Sequence, residues 1–472
     1  MPELGGNGAE GAPVKKYDLV VIGSGPGGEK AAIQAAKLGK RVLVVERDGT
    51  GGTSMNTGTI PSKTLWESVR YINALKQRQV FGISVKMDQD LTIDRLMHRK
   101  RGAIAALSDR LENNFEKNGI ALIAGHAQLT DPYHVRVEFP NGTSEDFETE
   151  YIVLAVGTRP HHPDVLDFKH PLVRDSDTIL SIREIPKSIT IIGGGVIACE
   201  YATIFSNLGV KVNLVDPRPQ LLDFLDREFS TALTYLMRDQ GIRVRPGEKL
   251  AQGESTDSEV TITTESGKKI RSDLLLYAFG RTGNTDRLGL EAIGIPTNRY
   301  QLIQVNAHFQ TVHPHIYAVG DVIGPPSLAA TAMDQGRLAA LHAFAHSTEE
   351  HRFELLPTGI YTIPEISTVG STEEQLTQQA VPYEVGTASY RELARGQIQG
   401  LTTGRIKLLF HRETLKLLGV HILGDRATEL VHIGQTVMSF DGKVDYFIDH
   451  VFNYPTFSEC YRIAALNGVN RL

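Results

Sequence analysis

Two glycine-rich segments of this sequence have residue types and spacings that suit the binding of a pyrophosphate. In the first, Gly23, Gly25 and Gly28 precede an acidic residue, Glu46, which lies 23 residues after Gly23. The first glycine of such a loop allows a tight turn, the second lets a pyrophosphate approach the backbone at a helix N-terminus, and the third lets the helix pack closely. The acid can accept hydrogen bonds from a ribose. This segment therefore predicts a dinucleotide site.

The second segment repeats the pattern with Gly193, Gly195 and Ala198, and Asp216 again lies 23 residues after the first glycine. The pattern tolerates alanine at its third position. Asp216 would accept from an adenosine ribose and repel a 2′-phosphate, which favours NAD, whereas Arg218 could pair with that phosphate. Arg218 could equally be a solvated loop residue without a role in binding, so the preference between NAD and NADP stays open.

Each glycine-rich segment is flanked by short apolar stretches that have the composition of buried parallel strands. Residues 17–23 and 41–46 flank the first segment, and residues 188–192 and 210–216 flank the second, with a helical stretch between the two members of each pair. Strands that alternate with helices predict a parallel sheet covered by helices. The predicted fold class is therefore α/β, with two Rossmann-like dinucleotide-binding domains.

The chain has 472 residues, too many for one hydrophobic core, so two to four domains are expected. The last portion alternates predicted strands with helices and has no glycine-rich segment, which indicates a separate α+β domain. The predicted divisions are a flexible tail at residues 1–16, a first dinucleotide-binding domain at 17–157 with a return segment at 281–346, a second one at 158–280, a charged link at 347–352, and a C-terminal domain at 353–472.

Composition and charge argue against several classes of function. The net charge of −6 at pH 7 leaves no excess of Lys and Arg to neutralise the phosphates of a nucleic acid. No apolar run approaches the ~20 residues that span a bilayer, and residues 1–13 lack the apolar stretch of a secretory signal. We therefore expect a cytoplasmic protein with neither a membrane nor a nucleic-acid partner.

The cysteines and the paired histidines do not have the spacing of a metal site or of a disulfide motif. We expect no metal site and two reduced, structural thiols. The residues concerned are Cys199 and Cys460, His161 and His162, and His313 and His315.

Three further motifs accompany the paired glycine-rich segments. They are GGTSMNTGTIPSK at residues 51–63, HIYAVGD at residues 315–321, and Pro-Thr-x-Ser-Glu at residues 455–459. Together they resemble the flavoprotein disulfide reductases, the pyridine nucleotide-disulfide oxidoreductase family, over residues 17–472. The resemblance implies FAD in the first domain, NAD(H) or NADP(H) in the second, and a homodimer or larger homo-oligomer formed through the C-terminal domain.

The resemblance also implies roles for individual residues. It places Lys63 beside the flavin with Glu200 as its partner, and it gives Asp321 a hydrogen bond to the ribityl chain of FAD. Judged from residue type alone, Lys63 could be a solvated helix residue, Glu200 an acid that suits the helix dipole, and Asp321 an N-cap. The other cofactor contacts that the resemblance implies are Arg47, Gly52 and Thr53 for FAD and Gly280 for the nicotinamide coenzyme.

The chain departs from the family at three positions. Ser54 and Thr59 stand where the family has a reactive cysteine pair, and neither side chain can form a disulfide. Tyr454 replaces the histidine that acts as acid and base for the thiol, while the accompanying glutamate is present as Glu459. Tyr454 either covers the flavin or packs at a subunit contact. The predicted catalytic residues are Lys63, Glu200, Tyr454 and Glu459.

Intact nucleotide motifs without a thiol relay predict a reaction that ends at the flavin. NADPH would give hydride to the flavin and NAD⁺ would take it, with positioning as the main contribution of the protein. Residues 59–63 and 452–456 are similar to segments of the soluble pyridine nucleotide transhydrogenases, although those proteins typically retain one cysteine where this chain has Ser54. Two alternatives stay open: a diaphorase or NAD(P)H oxidase, and a catalytically silent flavoprotein that serves as a scaffold.

Overall fold

The computed structural model describes residues 14–77, 82, 92–345 and 355–472. The predicted link at residues 347–352 and most of the predicted tail lie outside these ranges. The chain forms two compact units, which we call the first unit and the second unit. The first unit comprises Met1–Pro61, Lys100–His161 and Arg281–Glu350, and the second comprises Ser62–Arg99, His162–Gly280 and His351–Leu472.

The helices and strands alternate along most of the described chain, and none of these helices has the length and apolar composition needed to cross a bilayer. The helices are α1 (Pro26–Lys37), α2 (Gly52–Asn56), α3 (Thr59–Gln77), α4 (Ile93–Leu96), α5 (His98–Lys117), α6 (Val196–Asn207), α7 (Arg227–Asp239), α8 (Ala329–Ala345), α9 (Glu373–Gln378), α10 (Ala394–Gln399), α11 (Ala427–Ser439), α12 (Asp445–Asp449) and α13 (Glu459–Val469). The strands are β1 (Lys15–Ile22), β2 (Val42–Glu46), β3 (Ala121–Ala124), β4 (His126–Asp131), β5 (His134–Glu138), β6 (Ser144–Leu154), β7 (Thr158–Pro160), β8 (Val173–Asp175), β9 (Ser188–Ile192), β10 (Lys211–Asp216), β11 (Arg243–Pro246), β12 (Leu250–Ser255), β13 (Val260–Thr264), β14 (Lys269–Ser272), β15 (Leu274–Tyr277), β16 (Arg281–Gly283), β17 (Ile316–Ala318), β18 (Thr358–Ile360), β19 (Ile366–Gly370), β20 (Tyr383–Ser389), β21 (Arg405–His411) and β22 (Leu417–Leu423).

The first unit is built on a sheet with the strand order β3-β2-β1-β6-β5-β4, and β17 pairs with β6. Strand β1 runs parallel to both of its neighbours, β2 and β6, as the helical connection between β1 and β2 requires. Helices α1 and α8 approach so closely that a Cβ added at Gly336 would lie 1.9 Å from the carbonyl oxygen of Gly27. This packing holds α1 over the sheet, with the first glycine-rich turn at the carboxyl end of β1.

Strand β1 begins earlier than the sequence predicts. We expect a tail up to residue 16, but Lys15 and Lys16 are already paired in register with Phe147 and Glu148 of β6. Their ammonium groups lie 2.9 Å from a carboxylate oxygen of Glu145 and 2.8 Å from one of Glu148, respectively. From the sequence, two adjacent lysines predict a polar tail, because their acidic partners on β6 are far away in the sequence.

The second unit contains a parallel sheet with the order β11-β10-β9-β15-β8. Ile189 and Ile191 of β9 enter one hydrophobic core and Ile192 enters another, because helices or strands cover both faces of the sheet. The C-terminal part adds an antiparallel sheet, β18-β19-β22-β21-β20, with its own core against α11 and α13. The predicted α/β fold class with a C-terminal α+β part is confirmed, while the predicted domain bounds stay a prediction.

A buried charge cluster joins the C-terminal sheet to helix α7 within the second unit. The Nζ of Lys407, a β21 residue with a fully buried side chain, lies 3.0 Å from both carboxylate oxygens of Asp226 and also bonds Glu373 and Glu228. Burial opposes both charged forms, but the opposite charges outweigh it, so the pKa of Lys407 is raised and the pKa of Asp226 is lowered. These residues form no motif in the sequence that would predict this cluster.

Removing the buried cation should destabilise the second unit strongly. Lys407→Met leaves the Asp226 carboxylate buried without its partner, and we expect a loss of about 3–5 kcal/mol in the free energy of unfolding. Urea unfolding followed by circular dichroism measures this loss. Lys416→Met, which breaks an exposed pair with Asp441, is the matched control and should cost less than about 1 kcal/mol. Equal losses in the two variants would contradict the assignment.

Candidate functional site

The first glycine-rich turn, in the first unit, has the backbone geometry that close approach of a ligand requires. Gly23 has a φ of +99°, and a Cβ added at Gly28 would lie 1.9 Å from the carbonyl oxygen of Gly23. Gly25 is the N-cap of α1, no side chain caps that helix end, and a Cβ at Gly25 would meet nothing within 4 Å. The N-terminus of α1 therefore presents free backbone N–H groups to open space.

Glu46 ends β2 beside this turn, as the predicted ribose acceptor should. One carboxylate oxygen accepts from the backbone N–H and the hydroxyl of Ser24, at 2.8 and 2.7 Å. The other accepts from the backbone N–H groups of Arg47 and Asp48, at 2.8 and 3.0 Å. These four bonds fix the orientation of the carboxylate relative to the turn. Ser24 also accepts from the N–H of Gly51, which ties the segment before α2 to the same turn.

Apart from Lys63, the remaining residues predicted to contact FAD lie in the same unit. Gly52 approaches the turn closely, since a Cβ added there would lie 3.1 Å from the Cα of Gly25. Thr53 is exposed on α2, and the Arg47 side chain bonds Asp48. Asp321 accepts from the Thr158 hydroxyl at 3.3 Å and lies inside a 3-10 turn, Gly320–Ile323, that no side chain caps. The N-cap alternative for Asp321 therefore has no support in the structure.

The second glycine-rich turn, in the second unit, has the same geometry. Gly193 has a φ of +122°, and a Cβ there would lie 2.7 Å from the carbonyl oxygen of Ala278. Gly195 is the N-cap of α6, makes no side-chain bond and faces open space, while Ala198, in the first turn of α6, is fully buried. Gly280 follows β15 with a φ of +84°.

Asp216 and Arg218 form a single hydrogen-bonded pair. Asp216 is fully buried, and the Arg218 guanidinium donates to both of its carboxylate oxygens at 3.0 Å. The third guanidinium nitrogen donates to Asp223 at 3.0 Å, and the guanidinium carbon lies 6.0 Å from the Phe279 ring centroid. The hydrogen bond to Asp216 raises the pKa of Arg218. The solvated-loop alternative for Arg218 is therefore wrong, because this side chain is held in place by two carboxylates.

Lys63 and Glu200 are brought together in the second unit, from α3 and α6. The Nζ of Lys63 lies 2.6 Å from one carboxylate oxygen of Glu200, whose other oxygen accepts from the backbone N–H of Tyr361 at 2.9 Å. The Lys63 side chain is 25% exposed and that of Glu200 only 6%. The alternative of a freely solvated lysine is wrong, since an almost buried carboxylate holds its ammonium group.

The positions that depart from the family are spread over both units. Ser54 lies on α2 and its hydroxyl donates to the carbonyl of Gly51 at 3.2 Å, and Thr59 begins α3. Tyr454, in the second unit, is 69% exposed. Glu459 begins α13 and has one buried carboxylate oxygen without a hydrogen-bond partner within the described part of the chain.

Both cysteines are unsuited to redox chemistry. Cys199 on α6 and Cys460 on α13 carry free, fully buried thiols. Burial raises the pKa of each thiol, which disfavours the reactive thiolate. Neither thiol can therefore replace the pair that is missing at Ser54 and Thr59.

Four residues around the two charge pairs escaped the sequence analysis. Asp223 carries only the weak signal of an acid after a predicted strand, and Phe279 that of an aromatic residue beside Gly280. Tyr361 and Trp66 carry no signal that would connect them with Lys63, because their proximity arises only from folding.

Comparisons with known proteins match this geometry. The family model for pyridine nucleotide-disulphide oxidoreductases matches residues 17–336, and the dimerisation-domain model of the same family matches residues 356–465. Both glycine-rich turns fall within the first match, and the C-terminal antiparallel sheet falls within the second. The predicted family resemblance is confirmed.

Individual relatives cover almost the whole chain. The chain is 46% identical to the soluble pyridine nucleotide transhydrogenase of Serratia proteamaculans (strain 568), over 97% of this chain and 99% of that protein. It is 48% identical to the protein of the same name from Mycobacterium bovis (strain BCG / Pasteur 1173P2), over 97% of this chain and 98% of that protein.

Among solved structures, LpdA of Mycobacterium tuberculosis superposes with a TM-score of 0.89 at 24% identity, covering 96% of this chain and 99% of that one, which shows the shared fold. Since one family model spans both dinucleotide folds and a second spans the C-terminal sheet, this chain belongs to the pyridine nucleotide-disulphide oxidoreductase family.

Proposed function

We propose that this protein is an FAD-dependent transhydrogenase that exchanges hydride between NADPH and NAD⁺ without a redox-active disulfide. One observation carries the proposal: both dinucleotide turns are intact, whereas the groups that would move electrons on to a disulfide are replaced by Ser54, Thr59 and Tyr454. The only two cysteines are buried on helices. Relatives named soluble pyridine nucleotide transhydrogenase, at 46% and 48% identity, support the same conclusion.

The residues of the first unit fit the adenosine diphosphate part of FAD. The open N-terminus of α1 at Gly25 suits a pyrophosphate, and Glu46, already oriented by Ser24, keeps carboxylate lone pairs for a ribose hydroxyl. We assign Asp321 to the ribityl chain, and Arg47, Gly52 and Thr53 to the remainder of the FAD site. When bound, FAD supplies the group that takes up and releases the hydride.

Lys63 and Glu200 form the proposed charge pair of the catalytic site. Lys63 would present a fixed positive charge to the isoalloxazine ring, where it stabilises negative charge. Glu200 holds the ammonium group in one position, so little reorganisation is needed when charge develops. In this reaction no proton has to be relayed to a thiol. Tyr454 and Glu459 remain proposed members of the catalytic site, with Tyr454 either covering the flavin or packing at a subunit contact.

Asp216 and Arg218 suit a site that accepts either coenzyme. The carboxylate of Asp216 can accept from an adenosine ribose, and the guanidinium of Arg218 can pair with a 2′-phosphate. In the structure they bond each other, and Asp223 also holds Arg218. These side-chain bonds use three of the five guanidinium N–H groups of Arg218, so two remain for a 2′-phosphate. Gly193, Gly195, Ala198 and Gly280 complete the proposed coenzyme site.

The proposal includes a homodimer, or a larger homo-oligomer, in the cytoplasm. The match to the dimerisation-domain model supports self-association through the C-terminal part. Large apolar side chains are exposed in that part: Phe440 is 82% and Val451 92% accessible. Burial of such side chains against a second copy would remove apolar surface from water.

An anaerobic stopped-flow experiment tests the proposed reaction. The purified protein should be yellow, NADPH should bleach it, and NAD⁺ or thio-NAD⁺ should then restore the colour, because the electrons have no thiol to move on to. A colourless protein would contradict the proposal. Faster reoxidation by a quinone or by O₂ than by thio-NAD⁺ would show a diaphorase or oxidase instead.

Removal of the Lys63 charge should slow hydride transfer without loss of FAD. In Lys63→Met we expect the rate of flavin reduction by NADPH to fall about 10- to 100-fold, because one preorganised positive charge is lost. Rapid-mixing absorbance measures this rate, and the flavin-to-protein ratio measures occupancy. Lys117→Met, on the exposed end of α5, is the matched control and should behave as the wild type. An unchanged rate in Lys63→Met would remove this lysine from the mechanism.

Truncation of Arg218 should weaken the binding of NADPH more than that of NADH. In Arg218→Ala we expect the KM for NADPH to rise about 10- to 100-fold, since a charge-assisted bond to the 2′-phosphate is lost, while the KM for NADH changes little. Steady-state kinetics with each reduced coenzyme, at one salt concentration, gives both values. Equal rises for NADH and NADPH would instead indicate a general structural role for Arg218.

A further inference from the structure

The segment of residues 361–365 connects β18 and β19 and is held firmly within the second unit. The indole N–H of Trp66 donates to the carbonyl of Thr362 at 3.1 Å, and the backbone N–H of Ile363 donates to the hydroxyl of Thr203 at 3.2 Å. The amide of Gln240 donates to the carbonyl of Ile363 at 2.7 Å. Helices α3 and α6, with Gln240 directly after α7, therefore fix the backbone of this short connection.

Tyr361, the first residue of this segment, contacts both members of the Lys63–Glu200 pair. Its backbone N–H donates to Glu200 at 2.9 Å, and its ring lies under the ammonium group of Lys63, with 4.9 Å between Nζ and the ring centroid. The ring thus offers its negatively polarised face to a cation that a carboxylate holds from another side. Two independent contacts converge on the charge pair.

The orientation of the Tyr361 ring is itself fixed. Trp66, 6% exposed, packs edge-on against it, with a centroid distance of 5.2 Å and an interplanar angle of 83°. Edge-to-face packing of this kind is favourable beyond the burial of apolar area. Because Trp66 and Lys63 both lie on α3, one helix supplies the cation and the residue that aims the ring at it.

We propose that Tyr361 is a positioning residue that, through its ring, holds the ammonium group of Lys63 in place for the proposed hydride exchange. The effect of Tyr361 on the reaction rests on the proposed function, whereas the placement of Lys63 can be measured without any reaction. The backbone bond to Glu200 survives any side-chain substitution, so a change at position 361 isolates the contribution of the ring. This residue brings the C-terminal part of the chain into the site.

Tyr361→Phe and Tyr361→Leu form the matched pair for the test. Phe keeps an aromatic face under Lys63, whereas Leu removes it. The first measurement is an NMR spectrum of protein whose lysines carry ¹³C-methyl labels. The resonance that is missing from the spectrum of Lys63→Arg is assigned to Lys63. A methyl group over a ring face is shifted upfield, so we expect the shift in the wild type and in Tyr361→Phe, and its loss in Tyr361→Leu.

The second measurement is the rate of flavin reduction by NADPH together with the midpoint potential of the bound flavin. We expect Tyr361→Leu to lose about 3- to 10-fold in rate, the equivalent of one partly desolvated cation–π contact, and to move the potential to a more negative value. Tyr361→Phe should stay within about twofold of the wild type. Tyr361→Met serves the same comparison if the Leu variant does not fold.

The outcomes separate the two proposals. A Lys63 resonance that does not respond to loss of the ring overturns the inference, whatever the rate of flavin reduction. Equal slowing in Tyr361→Phe and Tyr361→Leu also overturns it, because the hydroxyl and not the ring face would then matter. A protein without flavin defeats the proposed function, while the resonance measurement still decides the placement of Lys63.

Discussion

The proposed site depends on one ion pair, between Lys63 and the almost buried Glu200. A carboxylate that is 6% exposed is costly unless a cation neutralises it, and the 2.6 Å contact with Lys63 meets that requirement. Each member of the pair is placed by a different helix, and Tyr361 contacts both. The position of one positive charge thus depends on the packing of three segments that are far apart in the chain, so the site forms only when the second unit is folded.

The two glycine-rich turns solve the same physical problem in different units. In each, a glycine with positive φ brings the chain from strand to helix, and a second glycine leaves the helix N-terminus uncovered. The acids that follow differ in their surroundings. Glu46 is oriented by Ser24 and by backbone N–H groups, whereas Asp216 is buried against Arg218. The second turn has a cation, Arg218, beside its acid, which suits a coenzyme with a 2′-phosphate. The proposed exchange requires such a site because NADPH is one of its two coenzymes.

The loss of the thiol relay and the retention of the charge pair have a common chemical logic. A disulfide relay needs a thiolate and a base, and at the matching positions this chain has hydroxyl groups at Ser54, Thr59 and Tyr454. Both cysteines are buried where the thiolate is disfavoured. Hydride exchange between coenzymes requires neither group, because it depends chiefly on the positions of the two reactants and on a favourable field. The fold that the family shares can thus serve a shorter electron path.

Residue order was enough to predict the α/β class, both glycine-rich turns, the acids that follow them and the family, because these depend on residue type and on short, regular spacing. It also named Lys63 and Glu200, but only through resemblance to that family. The folded structure was needed to see that Lys15 and Lys16 belong to β1, that Asp216 is paired with Arg218, that Lys407 is buried among carboxylates, and that Tyr361 lies under Lys63. Except for Asp216 and Arg218, which are two residues apart, these contacts join residues that are distant in the sequence, so their proximity is set by packing and cannot be read from residue order.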